Sequence, residues 1–252
     1  MRQAVILAAG CGRRLGSETG GRPKCLLSVG GKTLIERQLE ALEEIGIDKV
    51  CVVAGFGADE VRAQLDGRCS LILNRRWADT NSLYSLWLTR EWVRGELFLF
   101  NSDVLAHIDV YRRIAAAPSS CLAFDSSSGH DGEHMKVWID GGDLRAISKC
   151  LPAAQISGEN VGILRFAPRV AQLVLGAADA LVTNGGRQAW APAAIDSLVP
   201  QSRIRCVDVS DLPWVEIDCP DDLRTAREIV WPAIRGQAIC NPPQPRPLPV
   251  AG

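Results

Sequence analysis

No stretch of the 252-residue chain comes near the roughly 20 consecutive apolar residues of a membrane-spanning helix. The apolar opening that follows Met1-Arg2-Gln3, AVILAAG, is too short for the core of a secretory leader. Both absences point to a cytoplasmic protein. Histidine is scarce: His107, His130 and His134 are the only three, and none stands at a metal-ligand or catalytic-triad spacing. They read as loop or surface residues, which turns the search away from Ser/His chemistry. Long basic runs are missing as well, and the formal net charge of −1 excludes a nucleic-acid footprint spread over the surface. Nine cysteines occur (Cys11, Cys25, Cys51, Cys69, Cys121, Cys150, Cys206, Cys219, Cys240), but no C-x-x-C pair, so a zinc ribbon or thioredoxin-type motif is excluded. Their odd number fits reduced thiols.

What is present is an ordinary globular balance, 47% hydrophobic and 23% charged, in a length that suits one large α/β domain or two small ones. The first half alternates strand-like and helical patterns. AVIL reads as a strand; Leu34, Ile35, Leu39, Leu42 and Ile45 then recur at helical spacing and stop at Gly46. KVCVVAG, SLILN and ELFLFNSD read as further strands, ADEVRAQL and the stretch NSLYSLWLTREWV behind Asn81 as helices. Strand and helix in strict turn imply parallel β-α-β units with helices on both faces of one sheet. From about Cys121 short strands and Gly/Ser/Asp turns indicate a hairpin-rich insertion, residues 121–158. ENVGILRF is again strand-like, 169–182 and 187–198 look helical, RIRCVDV and WVEID look like strands, and Pro220 opens a last helix. One domain over 1–235 and a proline-dense, extended tail over 236–252 follow.

The stretch AAGCGRRLGSETGGRPK after the first strand is a phosphate loop of some kind. A dinucleotide fingerprint wants G-x-G-x-x-G; Gly10 and Gly12 fit, but position 15 is Leu15 and the next glycine, Gly16, comes one place late. A P-loop ending in Gly31-Lys32-Thr33 would need a glycine where Leu26 stands. The whole pattern, Gly10-x-Gly12-x-Arg14-Leu15, Pro23-Lys24, continued by Leu27, Gly31 and Leu34, resembles the nucleotidyltransferases that make NDP-sugars and CDP-alcohols. Its physics suits them. Glycines let backbone amides wrap a triphosphate, and Arg13, Arg14 and Lys24 supply positive charge where an α-phosphate passes through its transition state. The resemblance implies a three-layer Rossmann-like α/β fold with a mixed, mainly parallel sheet. It places Leu7, Ala8, Ala9, Gly10, Gly12, Arg13, Arg14 and Lys24 around the nucleotide.

Acidic residues come next. Asp103 follows an apolar strand, at the carboxyl edge where open α/β sheets bind ligands. Glu216 and Asp218, two apart in WVEID, share one face of a strand. A helix cap is the plain alternative for Asp103 and for Asp218. The resemblance implies instead that all three hold a catalytic Mg²⁺. The reaction would be a single in-line displacement at phosphorus, needing no protein nucleophile.

NRRWADTNSLYSLWL is similar to a segment of bacterial phosphocholine cytidylyltransferases and related phosphonate cytidylyltransferases, in which it lines the base pocket. The similarity runs over most of residues 4–235, fading in the insertion. Carried over, Thr80, Asn81, Ser82 and Ser85 would read the cytosine of CTP, and Lys136 and Lys149 would approach the phosphates. An exposed strand lysine is the equal alternative for Lys136. Glu159-Asn160-Val161-Gly162 matches a return strand of the family, its glycine clearing space. For the acceptor, choline would ask for an aromatic cage, for which Trp138, Trp190 and Trp214 are available, with Asp140 and Glu159 as added charge. Trp77, Trp87, Trp92 and Trp231 read as helix-packing residues. A phosphonate such as 2-aminoethyl- or hydroxyethylphosphonate would ask for carboxylate or hydroxyl partners, and the sequence leaves the two open. A sugar-1-phosphate enzyme using UTP or dTTP and a non-catalytic nucleotide-sensing domain are the competing readings.

Overall fold

The computed structural model describes residues 1–236 except Asp48 and His130. The tail expected over 236–252 lies, from residue 237 on, outside the described residues, as do Cys240 and His130. One nine-stranded sheet forms the centre. From edge to edge it runs Ser70–Leu73, Lys49–Ala54, Arg2–Ala8, Glu96–Asn101, Gly158–Phe166, Cys121–Asp125, Arg205–Asp208, Asp143–Ser148, Lys136–Asp140. The first four strands are mutually parallel. Gly158–Phe166 enters antiparallel to Glu96–Asn101 and makes the sheet mixed.

Alternation along each strand divides the core in two. Ala4, Ile6 and Ala8 face one side, with Val50, Val52, Phe98 and Phe100; Val5 and Leu7 face the other, with Cys51, Val53, Leu97 and Leu99. Helices Leu34–Glu44, Ala58–Leu65 and Ile108–Ala116 cover the first face. Ser82–Leu88, Pro168–Thr183 and Pro192–Asp196 cover the second. Strands buried on both faces read as continuous apolar runs, which is why they were legible.

Helix ends follow local chemistry. Thr33 and Glu36 make a reciprocal capping box for Leu34–Glu44, so the Gly31-Lys32-Thr33 stretch serves a helix start. Two helices are shorter than their sequence pattern. The helix behind Asn81 ends at Leu88, and of the stretch 187–198 only Pro192–Asp196 is helical. Residues 184–191 instead form a loop, held by Asn81 N–H to Arg187 O (3.0 Å) and Ala191 N–H to Ser82 Oγ (2.8 Å). That loop carries Trp190.

Segment 121–158 adds strands to the main sheet, with Lys136–Asp140 at its edge and paired also to Gly158–Phe166. Two short strands complete the picture: Trp214–Glu216 pairs antiparallel with Val104–Ala106. A third apolar cluster beneath this ribbon joins Leu15, Leu27, Leu105, Ile217 and Leu223, tying the glycine-rich segment to the end of the fold. Among the described residues no helix is long and apolar enough to cross a membrane.

Candidate active site

The carboxyl ends of the parallel strands open into a cleft of about 330 Å³. Gly12 turns the chain there in the left-handed region (φ 64°), and a Cβ on it would lie 3.3 Å from the Lys24 side chain. The turn thus leaves room for the lysine. A short 3-10 turn, Lys24–Leu26, follows Pro23, and the Lys24 side chain is buried with its ammonium aimed at the acidic residues.

Lys24 Nζ donates to Asp103 Oδ2 at 2.7 Å and to Asp218 Oδ1. Arg14 Nη2 donates to Asp218 Oδ2 at 2.7 Å. The two-stranded ribbon explains the convergence: Glu216 pairs with Val104, and Ile217 N–H donates to Asp103 O at 3.0 Å. The backbone therefore delivers Glu216 and Asp218 beside Asp103. Neither aspartate is a helix cap. His107 caps Ile108–Ala116, and Asp222 accepts from the N–H groups of Asp218 and Cys219 at the last helix start.

Charge in the cluster is uneven. Burial acts to lower the Lys24 pKa, but Asp103 and Asp218 outweigh it and hold the ammonium firmly protonated. Burial acts to raise Asp218, yet the Lys24 charge and hydrogen bond, with Arg14 and Lys149, keep its carboxyl below the usual range. Glu216 goes the other way. It is pushed up to about 8, first by burial and then by the negative charges of Asp103 and Asp218. Its partner is Asn101, whose Nδ2 donates to Glu216 Oε1 at 3.1 Å.

Three buried side-chain oxygens lack a hydrogen-bond partner among the described residues, and two of them, Asp103 Oδ1 and Asn160 Oδ1, belong to residues that line the cleft. Among the described residues no group of three or more His, Cys, Asp or Glu side chains is drawn together as a ready-made metal cage. Mg²⁺ does not ask for one; it takes one or two carboxylates and completes its shell with water and phosphate oxygens. An unpartnered Asp103 oxygen beside Asp218 and a proton-retaining Glu216 fits such an ion.

At the opposite end, the Asn74 amide donates to Thr80 Oγ1 and Ser85 Oγ, each at 3.1 Å, and Asn81 Oδ1 accepts from Ser82 N–H. These side chains line the cleft together with Leu7, Ala9, Gly10, Arg13 and Trp77. Ala8 does not, because strand alternation turns it into the core. Trp77, which read as a packing residue, forms part of the wall and meets Phe56 edge-on at 5.2 Å.

At the mouth, Lys149 Nζ lies 3.2 Å from Glu133 Oε2 and 4.8 Å from the Trp190 ring centroid. Arg14 reaches the same Glu133 oxygen at 3.3 Å.

Several expected residues stand elsewhere. Lys136 is buried, its ammonium bound by the carbonyls of His134 (3.3 Å) and Lys149 (3.0 Å); it braces the loop and is absent from the cleft lining. Glu159 is buried against Ser128 and His134. Asp140 pairs with Arg145 on the surface. Trp138 is exposed on the edge strand, and Trp214 donates its indole N–H to Asp125 at 2.7 Å, so neither joins Trp190 and no aromatic cage forms among the described residues. Of the residues that sequence reasoning did not assign to the site, Asn74 opens the matched NRRWADTNSLYSLWL segment and Asn160 lies within the matched return strand, whereas Asn101 and Glu133 had only adjacency to a matched position as a signal.

Comparison with known proteins gives a consistent result. The profile of the MobA-like NTP transferase domain matches residues 4–159. The chain is 30% identical to a CMP-5'-(3-aminopropyl)phosphonate synthase of Streptomyces rubellomurinus, over 89% of this chain and 38% of that protein. It is 40% identical to a choline-phosphate cytidylyltransferase of Streptococcus pneumoniae over 35% of this chain and 39% of that protein. It therefore spans under two fifths of the length of either relative. Among solved structures, the CTP:phosphocholine cytidylyltransferase from Streptococcus pneumoniae superposes with a TM-score of 0.74 at 22% identity, covering 90% of this chain and 98% of that one. At that identity the likeness speaks for the fold.

Proposed function

The chain belongs to the MobA-like NTP transferase family, and from that membership we propose that it is a cytidylyltransferase, moving CMP from CTP to a small phosphorylated or phosphonate acceptor with release of pyrophosphate. The observation that carries the reading is the meeting of Lys24 and Arg14 with Asp103 and Asp218 on the carboxyl edge of the sheet. The names of both relatives support CTP as the nucleotide and leave the acceptor between a phosphonate and phosphocholine.

An anionic acceptor oxygen attacks the α-phosphorus; the new P–O bond forms as the bond to the β-phosphate oxygen breaks, and pyrophosphate leaves. The acceptor needs no base at neutral pH, so the protein's work is alignment and charge neutralisation. Arg13, Arg14 and Lys24 face the triphosphate from the glycine-rich turn. Lys149 stands on the acceptor side. Asp103, Glu216 and Asp218 would hold Mg²⁺, which supplies further neutralisation of phosphate charge. Asn74 donates to the hydroxyls of Thr80 and Ser85, and Thr80 donates in turn to the Arg76 carbonyl, giving the base a fixed set of polar partners. Lys136 positions the Lys149 segment through its backbone and stays out of the chemistry.

Pyrophosphate release with CTP, UTP and dTTP, each against phosphonate, phosphocholine and sugar-1-phosphate acceptors, tests the proposal. Turnover with CTP and a phosphonate or phosphocholine is expected. Turnover only with UTP or dTTP and a sugar phosphate would overturn it.

A further inference from the structure

We infer that the acceptor end of the cleft takes a head group bearing a primary ammonium, held by the Trp190 ring face, the Glu133 carboxylate and Asn160 Oδ1, in preference to a quaternary one. The inference rests on the cytidylyl-transfer reading above and narrows its acceptor.

A primary ammonium already occupies two sides of this cradle, leaving Asn160 Oδ1 unpartnered. It is the protein's own, on Lys149, between Glu133 Oε2 at 3.2 Å and the Trp190 ring at 4.8 Å. One ring face and one carboxylate are a good set for a cation that also donates hydrogen bonds. They are a poor set for trimethylammonium, which is held by several ring faces. The other two candidates for such a cage are out of reach. Trp138 lies exposed on the edge strand, and Trp214 is engaged with Asp125. Trp77, the second ring in the wall, stands beside Asn74 at the nucleotide end.

Asn160 adds a requirement that charge alone does not meet. Its residue is 5% exposed, it lines the cleft, and its Oδ1 has no hydrogen-bond partner. Its backbone N–H donates to Met135 O at 2.8 Å, which sets it next to the segment that carries Glu133. A buried acceptor left unpaired is costly, so a ligand filling this end should bring an N–H. A primary ammonium brings three and a trimethylammonium none. When the acceptor's ammonium takes the cradle, the Lys149 head is displaced. Its charge acts on Asp218.

The test is a methylation series with the full chain at saturating CTP and Mg²⁺: 2-aminoethylphosphonate and its N-methyl, N,N-dimethyl and N,N,N-trimethyl forms, with phosphoethanolamine beside phosphocholine. From pyrophosphate release, kcat/KM should fall along the series, by about tenfold or more between the primary and trimethyl compounds, chiefly through KM. Asn160→Leu should draw the ratio of primary to trimethyl kcat/KM toward one, whereas Asn160→Asp, which keeps an acceptor oxygen, should preserve the preference. The wild-type series stands alone if a variant fails to fold. A trimethyl compound turned over as well as the primary amine would overturn this inference while leaving cytidylyl transfer intact. Turnover of hydroxyethylphosphonate but of no member of the series would likewise overturn this inference alone, and no turnover of any of these acceptors with CTP would sink the cytidylyl reading with it.

Discussion

The Asn101 amide donates to Glu216 Oε1 at 3.1 Å, joining the end of a central strand to the last acidic pair across 115 positions of sequence. It can do so because residue 162 has no side chain. A Cβ on Gly162 would come within 2.6 Å of Asn101 Nδ2, and the residue sits at φ 77°, in the left-handed region. Gly162→Ala should therefore cost about 1–3 kcal/mol of stability, read by urea denaturation, and should raise the Mg²⁺ concentration for half-maximal activity by displacing Asn101. An unchanged denaturation midpoint would show that the space is not needed.

Glu216 makes stability depend on pH in a predictable sense. Its carboxyl is raised from the ordinary range to about 8 in the folded chain, so the folded state keeps a proton that the unfolded state releases. The stabilisation is complete below the unfolded value near 4.5 and is lost as pH climbs through 8. With a chelator present, the wild type should lose on the order of 1–3 kcal/mol over that window relative to Glu216→Gln. Parallel thermal melts at pH 5 and pH 9 check it. Mg²⁺ should restore wild-type stability at pH 9 more than it helps the variant.

Lys24 is the counter-ion of two carboxylates. Lys24→Met should lower kcat by about a hundredfold or more by removing charge beside the α-phosphate. It should also destabilise by about 3 kcal/mol, since it strands Asp103 and Asp218. Because a divalent cation can replace the missing ammonium, the Tm of the variant should respond to Mg²⁺ more steeply than that of the wild type. Equal responses would refute the link.

Asn74 stands at the end of the cleft proposed to take the base. Asn74→Ala removes the donor shared by Ser85 and Thr80, leaving Thr80 held by the Arg76 carbonyl and Ser85 without that donor, and the ratio of kcat/KM for CTP over UTP should fall by about tenfold. Competition between the two nucleotides in one assay measures it.

The central strands were legible because they are buried on both faces, and the glycine-rich turn because its residue types answer to one backbone need. Asp103, Glu216 and Asp218 could be proposed together, but their meeting depends on a three-residue ribbon too short to carry a pattern. Lys136 and Trp77 show the limit. Strand alternation says which face a side chain takes, not whether backbone carbonyls bind it first, as they do Lys136. A tryptophan near a helix packs or lines a wall according to partners distant in sequence; for Trp77 these are Phe56 and the approach of Gly55. The stretch 184–191 escaped for a similar reason. From Arg187 to Ala191, where a helix was expected, the chain hydrogen-bonds to Asn81, Ser82 and Leu83, about a hundred residues earlier.

Lys24 and Asp218 are separated by 194 positions, yet they share one hydrogen bond at the heart of the cleft. During synthesis the glycine-rich turn, Lys24 and Asp103 leave the ribosome well before Glu216 and Asp218. The turn, Lys24 and Asp103 stay without Glu216 and Asp218 until the Trp214–Glu216 strand closes on Val104–Ala106. The Lys24–Asp103–Asp218 cluster thus assembles in one step of closure, when distant parts of the sequence meet.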